Sequence, residues 1–400
     1  MDIQLVLEGT DMIGKTTVRN ILRGSLPTQI SDRLPDFSKC IGLDEVHADL
    51  PQVVQSSQST KLFIVLYTHN NEDLEKRLED RKSRNPLKVS VYDEDAVRYN
   101  IVYKKALLML QSEPNVVGIC VDGKTPFEVA AEVLHVYLHR SLIAVPGPTL
   151  EGESKMYRQI PDTNLALVTL KPTLYSFTHN RYGEVPGTDA LRMKFWHLFA
   201  SEVNSRFSLK QVHEHTDSYT LPSSYFTTLS IDGIDYAVVR FWQKISPLEV
   251  VWKNYLVGTM KHNLKDVDKR QTRYGGSIEY EGQFPSSIIR FDWRNDLPNK
   301  DECIPDEFAE FYIETNNAKK TARYVTEVIQ NVLAQGDYEL VDLCYFMTYD
   351  GKQVCGEISP DGMRIRKRGA SYDKDLWRTG KDKTELCNTW SILLDDLTEK

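Results

Sequence analysis

The stretch GTDMIGKT (residues 9–16) matches the phosphate-binding pattern G-x-x-x-x-G-K-[ST] and predicts how the first part of the chain folds. It follows an apolar segment at 3–7 that predicts a strand. Its last two residues open a segment at 15–23 that predicts a helix. Its two glycines let backbone N–H groups turn toward phosphates, and the helix start adds its positive dipole. We predict that Lys15 reaches the β- and γ-phosphates of ATP and that the Thr16 hydroxyl holds Mg²⁺. The candidate ATP-binding residues of this loop are Gly9, Asp11, Gly14, Lys15, Thr16 and Thr17.

Strand and helix patterns alternate around this loop, which predicts an α/β domain with a parallel sheet covered on both faces. Further strands are predicted at 61–67 and 116–121, and helices at 71–84, 94–110 and 126–142. The last helix pattern runs into AVPGPTL (144–150), whose prolines and glycine cannot continue a helix. We therefore predict a first domain at 1–142, a linker at 143–150 and a second domain at 151–400.

Composition narrows the class of protein. The 400 residues suggest two or three domains, and 41% hydrophobic residues exclude a disordered chain. A net charge of -8 argues against a nucleic-acid-coating protein. No apolar run approaches the length of a membrane span, and MDIQLVLEGT shows no signal-peptide pattern, so we expect a cytoplasmic protein. The six cysteines are scattered, which argues against zinc and disulfide frameworks.

The first domain resembles thymidylate kinase. EGTDMIGKTT (8–17) is similar to that family's phosphate loop, and Asp32-Arg33, followed by Ser38, is similar to its DR motif for Mg²⁺ and the acceptor nucleotide. LEKRLEDRKSR (74–84) resembles its arginine-rich lid helix. The resemblance implies a P-loop kinase fold and ATP-dependent phosphoryl transfer. The catalytic residues that it implies are Lys15, Asp32, Arg33, Arg81 and Arg84, with Thr16 and Asp32 at Mg²⁺.

The lid helix has a physical basis of its own. Arg77, Arg81 and Arg84 fall on one helical face, where they can neutralise charge on a transferring phosphoryl group. The alternative is a solvated helix whose arginines pair with acidic neighbours. The segment between Lys15 and Asp32 is much shorter than in thymidylate kinases, so the phosphoryl acceptor stays open.

The second part shows a mixed pattern, which predicts an α+β domain. Strands are predicted at 166–170, 225–231, 236–242, 339–347 and 353–358, and helices at 189–203, 305–311 and 318–333. His213 and His215 form H-x-H, and on a strand they would share a face. A metal site there needs further ligands, which the sequence does not supply nearby.

Three stretches of the second part resemble SAICAR synthetase, a purine-pathway ligase that joins aspartate to a carboxylated imidazole nucleotide with ATP. They are EGESKMY (151–157), SPLEVVWKNYLVGT (246–259), and GEISPDGMR (356–364) followed by DKDLWR (373–378). The resemblance implies an ATP-dependent, amide-forming ligase domain. ATP contacts are implied for Lys155 and Glu249, and Mg²⁺ contacts for Glu357 and Asp361. Substrate contacts are implied for Lys253, Asn254, Gly258, Thr259, Arg364, Lys374, Asp375 and Arg378.

The second part also departs from that family's pattern. Glu153 stands where the nucleotide loop has a lysine, and Gly356 stands where an aspartate precedes the motif glutamate. Cys344 and Phe346 stand where the preceding strand has a lysine and a glutamate. At least two metal-associated carboxylates are therefore missing.

Three functions follow from these observations. The first is a bifunctional nucleotide-modifying enzyme that uses ATP and Mg²⁺, acting on nucleotides with an amino acid as the candidate amine donor. The second is a plain SAICAR synthetase fused to a kinase, and the third is a kinase with a non-catalytic nucleotide-binding domain. The composition permits a homo-oligomer and argues against a membrane or nucleic-acid partner.

Overall fold

The structure, a computed structural model, describes most of the chain. The described residues are 3–10, 13–26, 30–32, 34–57, 60–84, 89–176, 181–214, 220–242, 244–258, 260, 264, 266–295 and 301–399. The candidate site residues Asp11, Arg33 and Thr259 lie outside them, as do the side chains of Asp32 and Arg84.

The first part contains a parallel sheet, as the alternating pattern predicts. Its strands run in the order β2-β1-β3-β4, and each neighbouring pair is parallel. The elements are β1 (Gln4–Glu8), α1 (Lys15–Leu22), β2 (Ser31–Asp32), α2 (Pro35–Lys39), α3 (Leu50–Gln55), β3 (Lys61–Tyr67), α4 (Asn71–Arg84), α5 (Val91–Glu94), α6 (Ala96–Met109), β4 (Val116–Cys120) and α7 (Pro126–Ser141). The central strand β3 reads KLFIVLY and is buried on both faces, as strands of parallel sheets are.

The second part is built on two antiparallel sheets, which confirms the mixed pattern. Its elements are β5 (Leu150–Glu151), β6 (Lys155–Gln159), β7 (Leu165–Leu170), β8 (Thr173–Ser176), β9 (Arg181–Glu184), α8 (Thr188–Glu214), β10 (Tyr225–Ile231), β11 (Ile234–Arg240), β12 (Ile245–Tyr255), β13 (Gln283–Trp293), β14 (Glu302–Ile304), α9 (Asp306–Ala309), α10 (Thr315–Ala334), β15 (Glu339–Thr348), β16 (Met363–Lys367), β17 (Ala370–Ser371), α11 (Asp375–Arg378) and α12 (Lys383–Thr398). One sheet has the order β10-β11-β7-β6-β5, and the other has the order β14-β13-β12-β15-β16-β17. Strands β8 and β9 form a separate hairpin.

The six-stranded sheet has one apolar and one polar face. Leu248, Val250 and Trp252 alternate along β12 and enter the core that also contains residues of α10. Because side chains alternate along a strand, Glu249 and Lys253 lie on the opposite face. The fold therefore presents a row of charged side chains on the face of the sheet that does not pack on α10.

One hydrophobic core joins the two parts of the chain. It contains residues of the first part, such as Ile21 and Val133, together with Leu167, Phe226 and Val238 of the five-stranded sheet. Helix α7 contacts α1 and β4 of the first part and α8 and β10 of the second. The segment 143–150 thus connects two parts that share a packed interior.

Two predictions about the second part are wrong in detail. The segment 353–358 is not a regular strand, although Val354 forms isolated bridges with Ser223 and Met347. Val354, Cys355 and Ile358 are buried, and burial without regular strand pairing gives the same apolar sequence pattern. Helix α8 extends to Glu214, so His213 lies on a helix rather than a strand, and His215 lies outside the described residues. None of the described helices combines the length and apolar character that a membrane span needs.

Candidate functional site

The predicted phosphate loop lies between β1 and α1. Gly14 immediately precedes α1 with φ 97°, and Gly9 has φ 130°. A Cβ on Gly9 would lie 2.4 Å from the Leu66 carbonyl oxygen, so only glycine fits there. The Lys15 ammonium donates to the carbonyl oxygens of Gly9 (2.6 Å) and Thr10 (2.7 Å). The lysine is therefore held inside the loop, beside the start of the helix.

A buried carboxylate next to this loop escaped the sequence reasoning. Glu8 ends β1 and is fully buried. It accepts hydrogen bonds from the backbone N–H of Leu34 (2.6 Å) and from the Tyr103 hydroxyl (3.2 Å). The Thr10 hydroxyl donates to the carbonyl oxygen of Ala96 (2.9 Å). These contacts fix the loop against α6 and against the segment that follows β2.

The arginines of the predicted lid helix α4 pair with acids. Arg77 lies 2.6 Å from Asp73 on the same helix. Arg81 Nη1 donates to Asp93 Oδ1 at 3.0 Å, and Asp93 is buried. The pair of Arg77 matches the alternative of a solvated helix whose arginines pair with acidic neighbours. The pair of Arg81 connects α4 to the segment that follows it. A role of Arg81 and Arg84 in phosphoryl transfer stays a prediction.

The register of the six-stranded sheet gathers several of the other predicted residues. Lys253 on β12 is opposite Asp342 on β15, and Asp342 is in turn opposite Arg364 on β16. Glu249, four residues before Lys253, shares its face of the sheet. Asn254 follows at a shift in the β12 register, and its role stays a prediction.

Charges of alternating sign form what we call the Arg364 cluster, which consists of Lys253, Asp342, Arg364, Asp375 and Arg378. Asp342 Oδ2 accepts from Lys253 Nζ (2.7 Å) and Arg364 Nη1 (2.6 Å). Asp375 accepts from Arg364 Nε (2.8 Å) and Arg378 Nη1 (2.6 Å). Burial alone would raise the pKa of Asp342, but Arg364 and Lys253 hold it at about 2. Three cations are thus fixed within one network, as an anionic substrate group requires.

Two neighbouring residues position this cluster. Gly258 has φ 67°, and a Cβ there would lie 3.2 Å from Arg364 Nη1. Asp373 is buried and accepts from the backbone N–H groups of Ile365 (2.6 Å) and Asp375 (2.6 Å). Gly258 therefore confines the Arg364 guanidinium on one side. Asp373 fixes the backbone of Asp375, whose carboxylate pairs with Arg364.

A second network, the Glu357 cluster, consists of Lys155, Arg192, Glu357, Asp361 and Lys374. Glu357 accepts from Arg192 Nε (2.7 Å) and Nη2 (2.8 Å) in a two-pronged pair. Lys155 Nζ lies 3.3 Å from Glu357 Oε2, and Lys374 Nζ lies 2.7 Å from Asp361 Oδ1. Although burial opposes ionisation, Arg192 and Lys155 hold the pKa of Glu357 below its usual value.

Arg192 and Asp342 are members of these networks that the sequence reasoning missed. Arg192 is fully buried on α8, where its neighbours Met193, Phe195 and Trp196 belong to the core. A lone arginine in such an apolar helix segment was the available signal, because a buried charge requires a partner. Its partner Glu357 lies 165 residues away and could not be identified from local pattern.

The residues of the Glu357 cluster do not fit the Mg²⁺ that the resemblance implies there. Both oxygens of Glu357 already accept from cations, and Asp361 pairs with Lys374. A Cβ on Gly356 would lie 3.7 Å from Phe346 Cδ2, so two non-ligating residues face each other beside Glu357. Within the part of the chain that the structure describes, no three acidic, histidine or cysteine side chains are grouped as a metal site requires.

An acidic pair lies on the same face of the sheet. Glu249 is opposite Asp292 on β13, and burial raises the pKa of each carboxyl. Arg294 Nη1 donates to Glu249 Oε1 at 3.2 Å, and Arg290 Nη2 donates to Asp292 Oδ2 at 2.5 Å. Glu249 is thus half-buried and paired with an exposed arginine.

Comparisons with known proteins find curated relatives of this chain. The chain is 24% identical over 424 aligned residues to the bifunctional cordycepin biosynthesis cluster protein 3 of Cordyceps militaris, covering 88% of this chain and 44% of that protein. It is 31% identical over 143 residues to phosphoribosylaminoimidazole-succinocarboxamide synthase of Thermotoga maritima, covering 34% of this chain and 56% of that enzyme. The chain thus spans about half the length of these curated relatives.

Solved structures of SAICAR synthetases align with part of the chain. A SAICAR synthetase (Type-2) in complex with ADP aligns with a TM-score of 0.48 and 21% identity, covering 63% of this chain and 97% of that chain. The Saccharomyces cerevisiae SAICAR-synthase complexed with SAICAR aligns with a TM-score of 0.45 and 16% identity, covering 65% of this chain and 97% of that chain. The SAICAR synthetase family model matches residues 200–392. By this match the C-terminal region of the chain resembles SAICAR synthetase.

Proposed function

We propose that this chain is a bifunctional nucleotide-modifying enzyme. Its first part transfers a phosphoryl group from ATP to a nucleotide. Its second part uses ATP to form an amide between an amino compound and a nucleotide carboxylate. The proposal rests on two sites that occur in one chain. In the first, Lys15 is held inside a glycine loop at the start of a helix, and the second is the Arg364 cluster on the polar face of the sheet.

Phosphoryl transfer is supported by the local geometry of the first part. Gly9 and Gly14 adopt backbone conformations that L side chains rarely take, and they shape a loop at the positive end of α1. Lys15 lies in that loop and can exchange its carbonyl contacts for phosphate oxygens. In this mechanism Lys15 would neutralise the β- and γ-phosphates, and Thr16 with Asp32 would hold a Mg²⁺ ion that supplies further positive charge.

The ligase activity is supported by the charge arrangement of the second part. Arg364 and Arg378 flank Asp375, and Lys253 shares Asp342 with Arg364. Guanidinium groups fixed in this way suit two-pronged binding of a phosphate monoester on the acceptor nucleotide. Similarity to a relative whose name includes "bifunctional" covers both parts of this chain.

The experiment measures ATP turnover against a panel of nucleoside monophosphates, with and without amino acids. Two variants separate the sites: Lys15→Ala in the phosphate loop and Arg364→Ala in the Arg364 cluster. Arg366→Ala is the control, because Arg366 lies on the same strand and packs over Tyr255 instead. We expect amino-acid-dependent turnover that survives Lys15→Ala and is lost in Arg364→Ala. Turnover that depends on Lys15 alone, without any amino-acid effect, would disprove the ligase half.

A second candidate is a kinase whose C-terminal domain binds a nucleotide without catalysis. Phe346 and Gly356, which face each other beside Glu357, favour it because neither can hold a metal. In that case a nucleotide bound to the second part changes the kinase rate without being consumed. A plain SAICAR synthetase activity is less well supported, for the same reason.

A further inference from the structure

Glu357 has no oxygen left for a divalent cation. Its Oε1 accepts from Arg192 Nε (2.7 Å) and from the Ser359 hydroxyl (2.7 Å). Its Oε2 accepts from Arg192 Nη2 (2.8 Å) and lies 3.3 Å from Lys155 Nζ. A Mg²⁺ ion takes oxygen ligands at close to ideal octahedral geometry, and here it would have to displace a fully buried arginine.

Apolar and cationic groups fill the neighbouring space. The Phe346 ring packs against Gly356 on one side, and the Arg294 guanidinium lies over it with its Cζ 5.3 Å from the ring centroid. Arg294 in turn pairs with Glu249. Phe346 and Gly356 therefore pack against each other where the resemblance implies two carboxylates, and a guanidinium lies over the ring.

The exposed groups of the Glu357 cluster are suited to an anion. The cluster contains three cations and two carboxylates, so it keeps a net positive charge. Arg192 is fully buried, whereas the side chains of Lys155 and Lys374 are 20% and 13% exposed. The two ammonium groups can thus reach a phosphate group while Arg192 holds Glu357 in place.

We propose that the second part binds its nucleotide without a divalent cation. The ammonium groups of Lys155 and Lys374 neutralise the nucleotide's phosphate in place of the metal ion. This proposal rests on the proposed function, since it assigns the charge balance of the same nucleotide site. Arg192 and Glu357 act as positioning residues. They fix Lys155 without touching the nucleotide.

The first test measures ADP binding by calorimetry in the full chain carrying Lys15→Ala, which weakens the phosphate loop. We expect the affinity in EDTA to equal or exceed that in excess Mg²⁺. We expect Lys155→Ala and Lys374→Ala each to weaken it about tenfold, as loss of one charge-assisted contact implies. Lys171→Ala is the matched control, because Lys171 pairs with exposed Glu151 nearby. A tenfold loss of affinity in EDTA would disprove the metal-free site.

These outcomes separate the two proposals. Binding that requires Mg²⁺ contradicts the metal-free site and leaves the nucleotide site standing. No ADP binding in either buffer contradicts both.

The second test needs no nucleotide. Bound Mn²⁺ is counted by electron paramagnetic resonance in the Lys15→Ala chain and in the same chain with Glu357→Gln. We expect Glu357→Gln to leave the number of bound Mn²⁺ ions unchanged. The double variant Phe346→Glu, Gly356→Asp is the positive control, and we expect it to bind one more Mn²⁺ ion. A Mn²⁺ ion in the parent that Glu357→Gln removes would overturn the proposal.

Discussion

Arg240, the last residue of β11, donates from Nη2 to the carbonyl oxygen of Ile21 in the last turn of α1, at 3.2 Å. The same nitrogen donates to the Ser25 hydroxyl at 3.0 Å. Helix C-terminal carbonyls carry partial negative charge, so a guanidinium there is stabilising. Burial lowers the pKa of Arg240 to about 10. A strand of the second part therefore caps the helix that begins at the phosphate loop.

We expect Arg240→Ala to lower the free energy of unfolding by about 2–3 kcal/mol, because it leaves buried carbonyl oxygens without a charged donor. Urea denaturation measures the loss. Arg206→Ala is the control, since Arg206 forms a half-exposed pair with Glu202 on α8 and should cost below about 1 kcal/mol. Equal losses in the two variants would contradict the capping role.

Phe226→Ala should destabilise both parts of the chain in one transition. Phe226 is 2% exposed and belongs to the core that both parts share. Its truncation should cost about 3–5 kcal/mol. All six tryptophans lie after residue 195, so their fluorescence follows the second part. Labelling of buried Cys40 follows the first part. Coincident midpoints for both probes are expected, and two separate midpoints would show that the parts unfold independently.

Stability should fall in acid in a way that depends on Asp342. Its folded pKa of about 2 lies below the usual 3.8, so its contribution is complete above pH 4 and is lost as pH falls toward 2. That contribution amounts to about 2 kcal/mol. Asp342→Asn should flatten this part of the profile, measured as melting temperature against pH. Asp232→Asn, on an exposed turn, should leave the profile unchanged.

Gly258→Ala should weaken substrate binding more than it weakens the fold. The added Cβ would lie 3.2 Å from Arg364 Nη1, so the guanidinium has to shift. We expect inorganic phosphate affinity to drop by about tenfold, measured by calorimetry in the Lys15→Ala background. Gly276→Ala is the matched control. Gly276 has φ 71° and no neighbour within 4 Å, so it carries the same backbone strain without the contact. Equal phosphate affinity in the two variants would argue against a role of Arg364.

The Arg192–Glu357 pair should be strongly coupled. Glu357→Leu leaves a fully buried guanidinium without its counter-charge, which should cost about 3–5 kcal/mol. The double variant Arg192→Leu, Glu357→Leu should lose less than the sum of the single variants. Denaturation of the four proteins gives the coupling free energy. Additive losses would mean that Arg192 and Glu357 are not coupled.

Local patterns predicted the elements of the first part well. The strand at 61–67 and the helix at 71–84 match β3 and α4 in full, because both depend on periodicity within one segment. The glycines of the phosphate loop were likewise readable, since left-handed backbone requires glycine within a short motif.

The charge networks could not be predicted in the same way. Lys253, Asp342 and Arg364 come together only through the pairing of β12, β15 and β16, and a shift of one residue would turn their side chains to the other face. Arg192 reaches Glu357 from a helix 165 residues earlier. Family resemblance named Arg364 and Glu357, and their partners Asp375 and Lys155, but not the partners Asp342 and Arg192.

Helix α7 was expected to end the first domain, yet it packs against apolar side chains of both parts of the chain. A protein cut after residue 142 would carry this helix with its second-part partners removed, and Phe226, Leu229 and Val238 would lose their cover in the complementary fragment. Each fragment would then expose an apolar surface and tend to aggregate or to re-associate with the other fragment. The two parts therefore cannot be exchanged between chains as independent modules, and any change in one is constrained by the packing of the other.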